Sequence, residues 1–126
     1  MIERKQIIEY VEALSLVIVD KPFEKDFDTT VLRHSDNSKW FGIIMSIPYH
    51  KINIDRDGVV DIINLKSEPE DSFILREIYS GILPAYHMNK YHWISVILDS
   101  AVPVSQIYEL IFKSYIMTSP KARLKN

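Results

Sequence analysis

Three β-type segments separated by turn sequences constrain the fold of this chain most strongly. Residues 29–33 are mostly β-branched, residues 40–47 are apolar and aromatic, and residues 59–65 are rich in Val and Ile. Turn-forming residues occupy positions 35–38, and an Asp-Gly pair at 57–58 precedes the third segment. Because turns this short join antiparallel strands, the pattern predicts an antiparallel sheet assembled from hairpins.

Apolar residues at helical spacing predict a helix near each end of the chain. An amphipathic pattern covers residues 3–15, and another begins at Pro103 and cannot continue through Pro120. Residues 16–19 are compatible with a short strand. Residues 94–98 are apolar on both faces, which predicts a central strand of the sheet.

A further helix is predicted from Pro69 to about Tyr79. Ser67 and Glu70 match a capping box, and Pro69 is tolerated in the first turn. Gly81 is well placed to end the helix in a left-handed conformation. The side chains that this helix is expected to bury are Phe73, Ile74 and Ile78.

The predicted fold is a single α+β domain. Its elements follow the order α-β-β-β-α-β-α, with an antiparallel sheet of about four to five strands and helices packed against it. Residues 21–28 show no periodic pattern, which predicts a surface loop whose phenylalanines, Phe23 and Phe27, are buried. The domain is expected to span residues 1–118, and residues 119–126 are expected to form a basic tail containing Lys121, Arg123 and Lys125.

The composition excludes several classes of site. The 126 residues contain no cysteine, which excludes disulfides, thiolate metal sites and cysteine nucleophiles. No apolar run reaches the roughly 20 residues that span a bilayer, and the N-terminus lacks a signal-peptide pattern, so the sequence predicts a cytoplasmic protein without a membrane partner. The formal net charge of −2 argues mildly against DNA binding, because it provides no overall positive excess.

Two histidines lie in the stretch at residues 84–93, which is the part of the chain richest in side chains capable of specific contacts. Four residues separate His87 from His92, and no further cluster of ligands accompanies them, so a metal site is disfavoured. The alternative is that one or both rings hydrogen-bond main-chain groups and hold the turn into the following strand. That structural role is the one expected for His92.

The same stretch contains an amide and an ammonium group. Asn89 suits either a tight turn or a contact with an adenine edge. Lys90 stands beside Tyr91, so that a phosphate could meet the cation while a base stacks on the ring. Lys66 is also a candidate cation, although an ion pair with a nearby carboxylate is the more common role of such a residue.

The sequence predicts neither enzymatic activity nor a cofactor. No serine has a nucleophile-elbow context, and the three glycines form no phosphate-binding loop. The aspartates around residues 57–58 lack the pattern of a calcium loop and are typical of a solvated turn.

The chain resembles the MmcQ/YjbR family of small bacterial proteins from about residue 31 to residue 115. The most specific part is the run Tyr86-His87-Met88-Asn89-Lys90 followed by His92-Trp93, although Ala85 stands where many relatives carry glycine. The rest of the resemblance is carried by Asp61-Ile62-Ile63-Asn64-Leu65-Lys66, Glu68-Pro69, Leu75-Arg76, Ile82, Pro84, Leu98-Asp99 and Ser114-Tyr115. It implies an α+β fold similar to frataxin and secretion chaperones, and DNA binding through a "double wing" of hairpin loops.

Under this resemblance, two protrusions are expected to contact DNA. One is the hairpin tip from Arg33 to Lys39, which is also expected to project His34, and the other is the loop at residues 84–92. The residues assigned to nucleic-acid binding are Arg33, Lys39, Lys66, His87, Asn89, Lys90 and His92.

Two other functions stay open at this point. The fold analogy and the acidic balance are compatible with a protein-binding or peptide-binding module, and Tyr86, His87 and Trp93 could line a small-ligand pocket. Cations gathered on one face would favour DNA, interspersed carboxylates would favour a protein partner, and an enclosed concavity would favour a ligand. The sequence does not predict an oligomeric state.

Overall fold

One six-stranded antiparallel sheet is the frame of the molecule, and it confirms the predicted α+β class. The computed structural model describes residues 1–26 and 28–124, and of Leu124 only the backbone. The elements are α1 (Arg4–Glu12), β1 (Val17–Asp20), β2 (Thr30–His34), β3 (Trp40–Pro48), β4 (Val59–Lys66), α2 (Pro69–Ile78), β5 (Ile82–Pro84), β6 (Trp93–Ile97), α3 (Val104–Thr118) and α4 (Lys121–Leu124). A 3-10 helix, Tyr49–Ile52, follows β3.

The strands lie in the order β1-β2-β3-β4-β6-β5. The predicted hairpin of β2 and β3 is confirmed, and β6 lies inside the sheet as expected. The sequence analysis did not identify β5, which pairs with residues 94–96 of β6. A strand of three residues that follows a glycine and ends in a proline is too short to show the period of a strand.

The two faces of the sheet are covered differently. On one face, alternate residues of β4 and β6, such as Ile63 and Val96, pack with Ile107 and Ile111 of α3 and with α1 in the main core. On the other face, a smaller cluster around Ile62 packs against residues of strands, loops and the 3-10 helix, which are Met45, Ile52, Ile54, Leu83 and Tyr86. We call this second surface the open face.

The start of α2 differs from the prediction. The N-cap is Glu68, which makes no side-chain capping bond, and the Ser67 hydroxyl lies 3.4 Å from the Glu68 carbonyl oxygen. The predicted capping box is therefore wrong. Pro69 is the first residue of the helix, which agrees with its predicted place in the first turn. Because proline has no amide hydrogen, no capping hydrogen bond is needed at this position.

The buried side of α2 is also not the predicted one. Ser72, Leu75 and Tyr79, at positions i, i+3 and i+7, turn toward the core. The side chains predicted to be buried instead face outward, with 61%, 54% and 62% of their surface exposed at Phe73, Ile74 and Ile78. A helix with apolar residues on both sides does not reveal from its sequence which side packs on the sheet.

Gly81 has a different role from the one predicted. The helix ends at Tyr79 in an extended conformation, and the glycine with a left-handed backbone is Gly58, in the turn before β4. A Cβ atom at Gly81 would lie 2.5 Å from the Ser100 hydroxyl oxygen, so the missing side chain permits close packing of two loops.

The burial predicted for Phe23 and the exposure predicted for His34 are both wrong. Phe23 is 41% exposed, and its ring packs edge-on against Trp40 at 6.1 Å, while Phe27 lies outside the described residues. His34 does not project from the hairpin tip but is fully buried between the rings of Phe41 and Tyr115.

The buried His34 ring connects the β2–β3 hairpin to the end of the chain. Its Nε2 lies 2.7 Å from the Thr118 hydroxyl, and Nη1 of Arg123 lies 3.2 Å from its Nδ1. Since a guanidinium can only donate, Nδ1 accepts and Nε2 carries the proton. Arg123 also forms an ion pair with Asp36 and donates to the Tyr115 hydroxyl at 2.9 Å, so this residue of the predicted basic tail packs on the domain. Lys125 lies outside the described residues.

This environment makes His34 sensitive to pH. Burial lowers its pKa below the ordinary 6.5, and the positive charge of Arg123 lowers it further. The unfolded chain therefore binds a proton at His34 at a higher pH than the folded chain does, so the stability associated with the neutral ring is present above 6.5 and lost as pH falls below it.

We expect the free energy of unfolding to decrease on acidification below pH 6.5, with a contribution from His34 of up to about 1.4 kcal/mol per pH unit. Urea unfolding of the wild type, His34→Phe and the exposed-histidine control His50→Gln between pH 7.5 and 5 measures it. The slope should be reduced in His34→Phe and unchanged in His50→Gln. Identical slopes in all three proteins would show that His34 is not the responsible group.

Candidate functional site

The two predicted protrusions lie at the same end of the sheet. Trp40 pairs with Arg33 at the β2–β3 hairpin tip, and Pro84 pairs with Ile94 beside the loop that joins β5 to β6. The end of β4 lies between them, because Lys66 is the partner of Trp93 in β6. The register therefore brings the two loops together, with one strand between β3 and β6.

A buried set of hydrogen bonds fixes the loop at residues 85–92 against the open face. The Asn64 amide nitrogen donates to the Tyr86 carbonyl at 2.8 Å, and the Tyr86 amide donates to the Ser95 hydroxyl at 2.8 Å. Ser95 in turn donates to the Asn64 amide oxygen at 2.5 Å. Asn64 and Ser95 are fully buried partners on adjacent strands, so the main chain of Tyr86 replaces the water that these polar groups would otherwise need.

The interior of the loop is held by its own side chains. The Asn89 oxygen accepts from the amides of Tyr91 and His92 at 2.8 and 3.1 Å, which is an Asx turn and favours the structural role for this residue. The Lys90 ammonium donates to the Ala85 carbonyl at 2.7 Å and closes the loop. His87 adopts a left-handed backbone with φ of 58°.

The two histidines of the loop are both exposed, and they have different neighbours. The ring of His87 lies against that of Tyr86, with centroids 4.0 Å apart. The ring of His92 meets only the edge of Tyr91, at 5.1 Å, and makes no hydrogen bond within residues 1–26 and 28–124. The structural role expected for the His92 ring is therefore wrong, and it is the main chain of His92 that contributes, by accepting from the Ser67 amide.

No group of three metal-ligating side chains comes together among the described residues. In the same part of the chain, no helix has the length and apolar character required to cross a membrane.

The three other predicted cations have different surroundings. Arg33 is half-buried and forms an ion pair with Asp20 at 3.0 Å, so its charge is largely compensated. Lys39 is exposed at the hairpin tip. Lys66 is half-buried at the end of β4, where its amide donates to the Ser114 hydroxyl at 3.0 Å.

Two open grooves adjoin on the open face, and Tyr86 lines both. The first, about 480 Å³, is bordered by Lys25 and His87, and its remaining lining is Phe23, Asp26, Thr29, Met45, Ser46, Ile47 and Pro48. The second, about 240 Å³, is bordered by Lys51 and Lys90, and its remaining lining is Ile52, Asn53, Leu83, Pro84 and Ala85. We call Lys25, His87, Lys90 and Lys51 the cationic strip.

Only half of the cationic strip was identified from the sequence. The analysis missed Lys25 and Lys51 because each lies in an irregular segment that the fold brings onto the open face. One feature of the sequence could have indicated this surface: residues 37–54 and 82–98 contain no Asp or Glu at all. The small-ligand pocket predicted from Tyr86, His87 and Trp93 is not formed as such, because Trp93 lines neither groove and both grooves are open.

The acidic residues concentrate elsewhere. Three lie in residues 3–12 and four in residues 68–78, which are α1 and α2 with their N-caps. The one carboxylate in the first groove, Asp26, accepts from the hydroxyl of Thr29 at 2.5 Å, and this hydrogen bond lowers its pKa. Seven of the 17 Asp and Glu residues thus lie on α1 and α2 with their N-caps, whereas three lysines and one carboxylate line the two grooves of the open face.

Comparison with known proteins shows which proteins this chain is similar to. A model of the family described as YjbR matches residues 13–117. The chain belongs to the YjbR family. A Bacillus subtilis protein of the family, the uncharacterised YyaQ, is 42% identical over 118 residues, which cover 94% of this chain and 99% of YyaQ. Escherichia coli YjbR is 45% identical over 53 residues, which cover 42% of this chain and 45% of that protein.

Solved structures of related proteins share the fold. A crystal structure of a Pseudomonas syringae protein, 44% identical, matches with a TM-score of 0.88 over 94% of this chain and all of the other. The Deinococcus radiodurans protein DR2400, described with the domain DUF419, is 27% identical and matches with a TM-score of 0.72 over 94% of this chain and 79% of its own.

The hydrogen bonds of the loop generate a stability prediction. Ser95→Ala should lower the free energy of unfolding by about 1–3 kcal/mol, because it leaves the Tyr86 amide and the Asn64 oxygen buried without a partner. His92→Ala should change it by less than about 0.5 kcal/mol, since an exposed ring with one edge contact is lost. Urea unfolding of both variants at neutral pH measures the difference, and a larger loss in His92→Ala would contradict the anchoring assigned to Ser95.

Proposed function

We propose that this protein binds DNA on its open face, through the cationic strip and the two loops at the end of the sheet, and that it acts by binding without catalysis. The observation that supports this most is the pairing of Lys25 with His87 and of Lys51 with Lys90 around one aromatic residue, Tyr86. Lysines in a row meet successive phosphates of a nucleic-acid backbone, and release of its counterions provides most of the affinity.

The distribution of charge supports a directed approach of DNA. The carboxylates of α1 and α2 repel a polyanion from the helical side, whereas the acid-free segments 37–54 and 82–98 provide much of the open face. The protein thus does not need a positive net charge to bind DNA. The negative net charge, which argued mildly against DNA binding in the sequence analysis, does not oppose the proposal.

The position of the two loops supports the same proposal. One strand, β4, separates β3 from β6. At the usual spacing of neighbouring strands, the β2–β3 tip with Lys39 and the 85–92 loop with His92 therefore lie about 10 Å apart. That separation is similar to the roughly 12 Å width of the major groove of DNA. In this arrangement Lys39 and Lys66 contact the backbone beside the strip, and Arg33 supports the hairpin through Asp20.

Family membership and the cellular location of DNA complete the proposal. The chain belongs to the YjbR family, and its resemblance to the MmcQ/YjbR family implied DNA binding through a double wing of hairpin loops. Because bacterial DNA is cytoplasmic, the proposal also places the protein in the cytoplasm.

The test is fluorescence anisotropy with a labelled random DNA duplex at about 50 and about 200 mM salt. We expect micromolar binding at low salt that weakens steeply at high salt. Lys25→Glu and Lys51→Glu should each reduce the affinity at least about tenfold and lower the salt dependence by roughly one phosphate contact. Lys90→Glu is less informative, because the ammonium also closes the loop through the Ala85 carbonyl.

The matched control is Lys5→Glu, which makes the same charge change at an exposed position of α1. Its affinity should fall much less than that of the strip variants. An equal loss in all three variants would mean that only net charge matters, and no binding at low salt would overturn the proposal.

A further inference from the structure

An apolar surface on α2 faces away from the core. Ile74 and Ile78 lie one turn apart on one side of the helix, and each is more than half exposed. Phe73 is also exposed, but it lies on a neighbouring side of the helix. Met117 of α3, which is 36% exposed, adds to the apolar surface of this side.

A groove of about 120 Å³ runs between α2 and α3 beside this surface. Its apolar lining consists of Leu75, Leu110, Ile74 and Met117. The α2 side of the groove carries the carboxylates of Glu68 and Asp71, and the α3 side carries the ammonium of Lys113. Lys66, at the end of β4, also lines the groove. The ion pair of Lys113 with Glu109, at 3.6 Å and largely exposed, is of the weak surface kind.

The two sides of the groove are thus opposite in charge and share an apolar centre. A surface of this kind is complementary to itself when a two-fold axis runs along the groove, because rotation about that axis places α2 of one copy against α3 of the other. Asp71 of each copy then meets Lys113 of the other, and Ile74 and Ile78 meet Met117 of the second copy.

We propose that the α2–α3 face binds a second copy of this chain as a two-fold symmetric dimer. The exposed apolar area is a suitable centre for an interface of about 800 Å² per partner, the usual size of a specific contact, with the charged residues at its rim. The helices that make the dimer contacts lie on the side opposite the open face, and the groove shares one residue, Lys66, with the proposed DNA contacts.

Sedimentation velocity over a concentration series tests the dimer. The weight-average mass of the wild-type chain should rise with concentration toward twice the chain mass. The double variant Ile74→Lys, Ile78→Lys should raise the dimer dissociation constant at least about thirtyfold while its circular dichroism stays native, since both side chains are exposed. The control is Val59→Lys, which changes another exposed apolar residue, 63% exposed, at the start of β4 and should leave dimerisation unchanged.

A charge exchange tests the orientation of the two copies. Lys113→Glu and Asp71→Lys should each weaken self-association, because each places like charges on facing helices. An equimolar mixture of the two variants should recover dimers, because both facing pairs are then of opposite sign. A wild type that stays monomeric at all concentrations would overturn the dimer, and failure of the mixture to recover would overturn the α2-to-α3 arrangement.

Discussion

The position of the candidate site depends on one buried contact, the hydrogen bond between the Ser95 hydroxyl and the Asn64 amide oxygen. Polar side chains at two interior strand positions would be costly if they lacked partners. The remaining donor and acceptor capacity is satisfied by the main chain of Tyr86, which must therefore lie across the open face. This position of the Tyr86 main chain also determines where His87 and Lys90 lie, and it divides the surface into two grooves.

The same sheet separates two kinds of surface. Its helical face contains the main core and, outside it, the acidic and apolar exterior of α2. Its open face has a thinner cover of loops, in which lysines outnumber carboxylates around Tyr86. A chain of low net charge can thus present one surface to a polyanion and another to a second copy of itself.

The class of fold could be predicted from the sequence because its signals are local. Alternating apolar residues, the turn at 35–38 and the proline at the start of α2 each act within a few residues, and the structure agrees with them. The buried side of α2 could not be predicted, since Leu75 and Ile74 are equally apolar and only the position of the helix on the sheet distinguishes them. The burial of His34 could not be predicted either, because the residue that packs over it, Arg123, is distant in sequence and lies near the end of the chain.

The candidate site was predictable only in part, for the same reason. The loop at 85–92 was recognisable from its composition, but Lys25 and Lys51 enter the site from segments distant in sequence. Two-dimensional NMR of the labelled protein during titration with a short DNA duplex tests the location most directly. The account predicts that amide shifts concentrate at Lys25, at residues 51–53 and at residues 86–90. Shifts confined to α2 and α3, or none at saturating duplex, would contradict it.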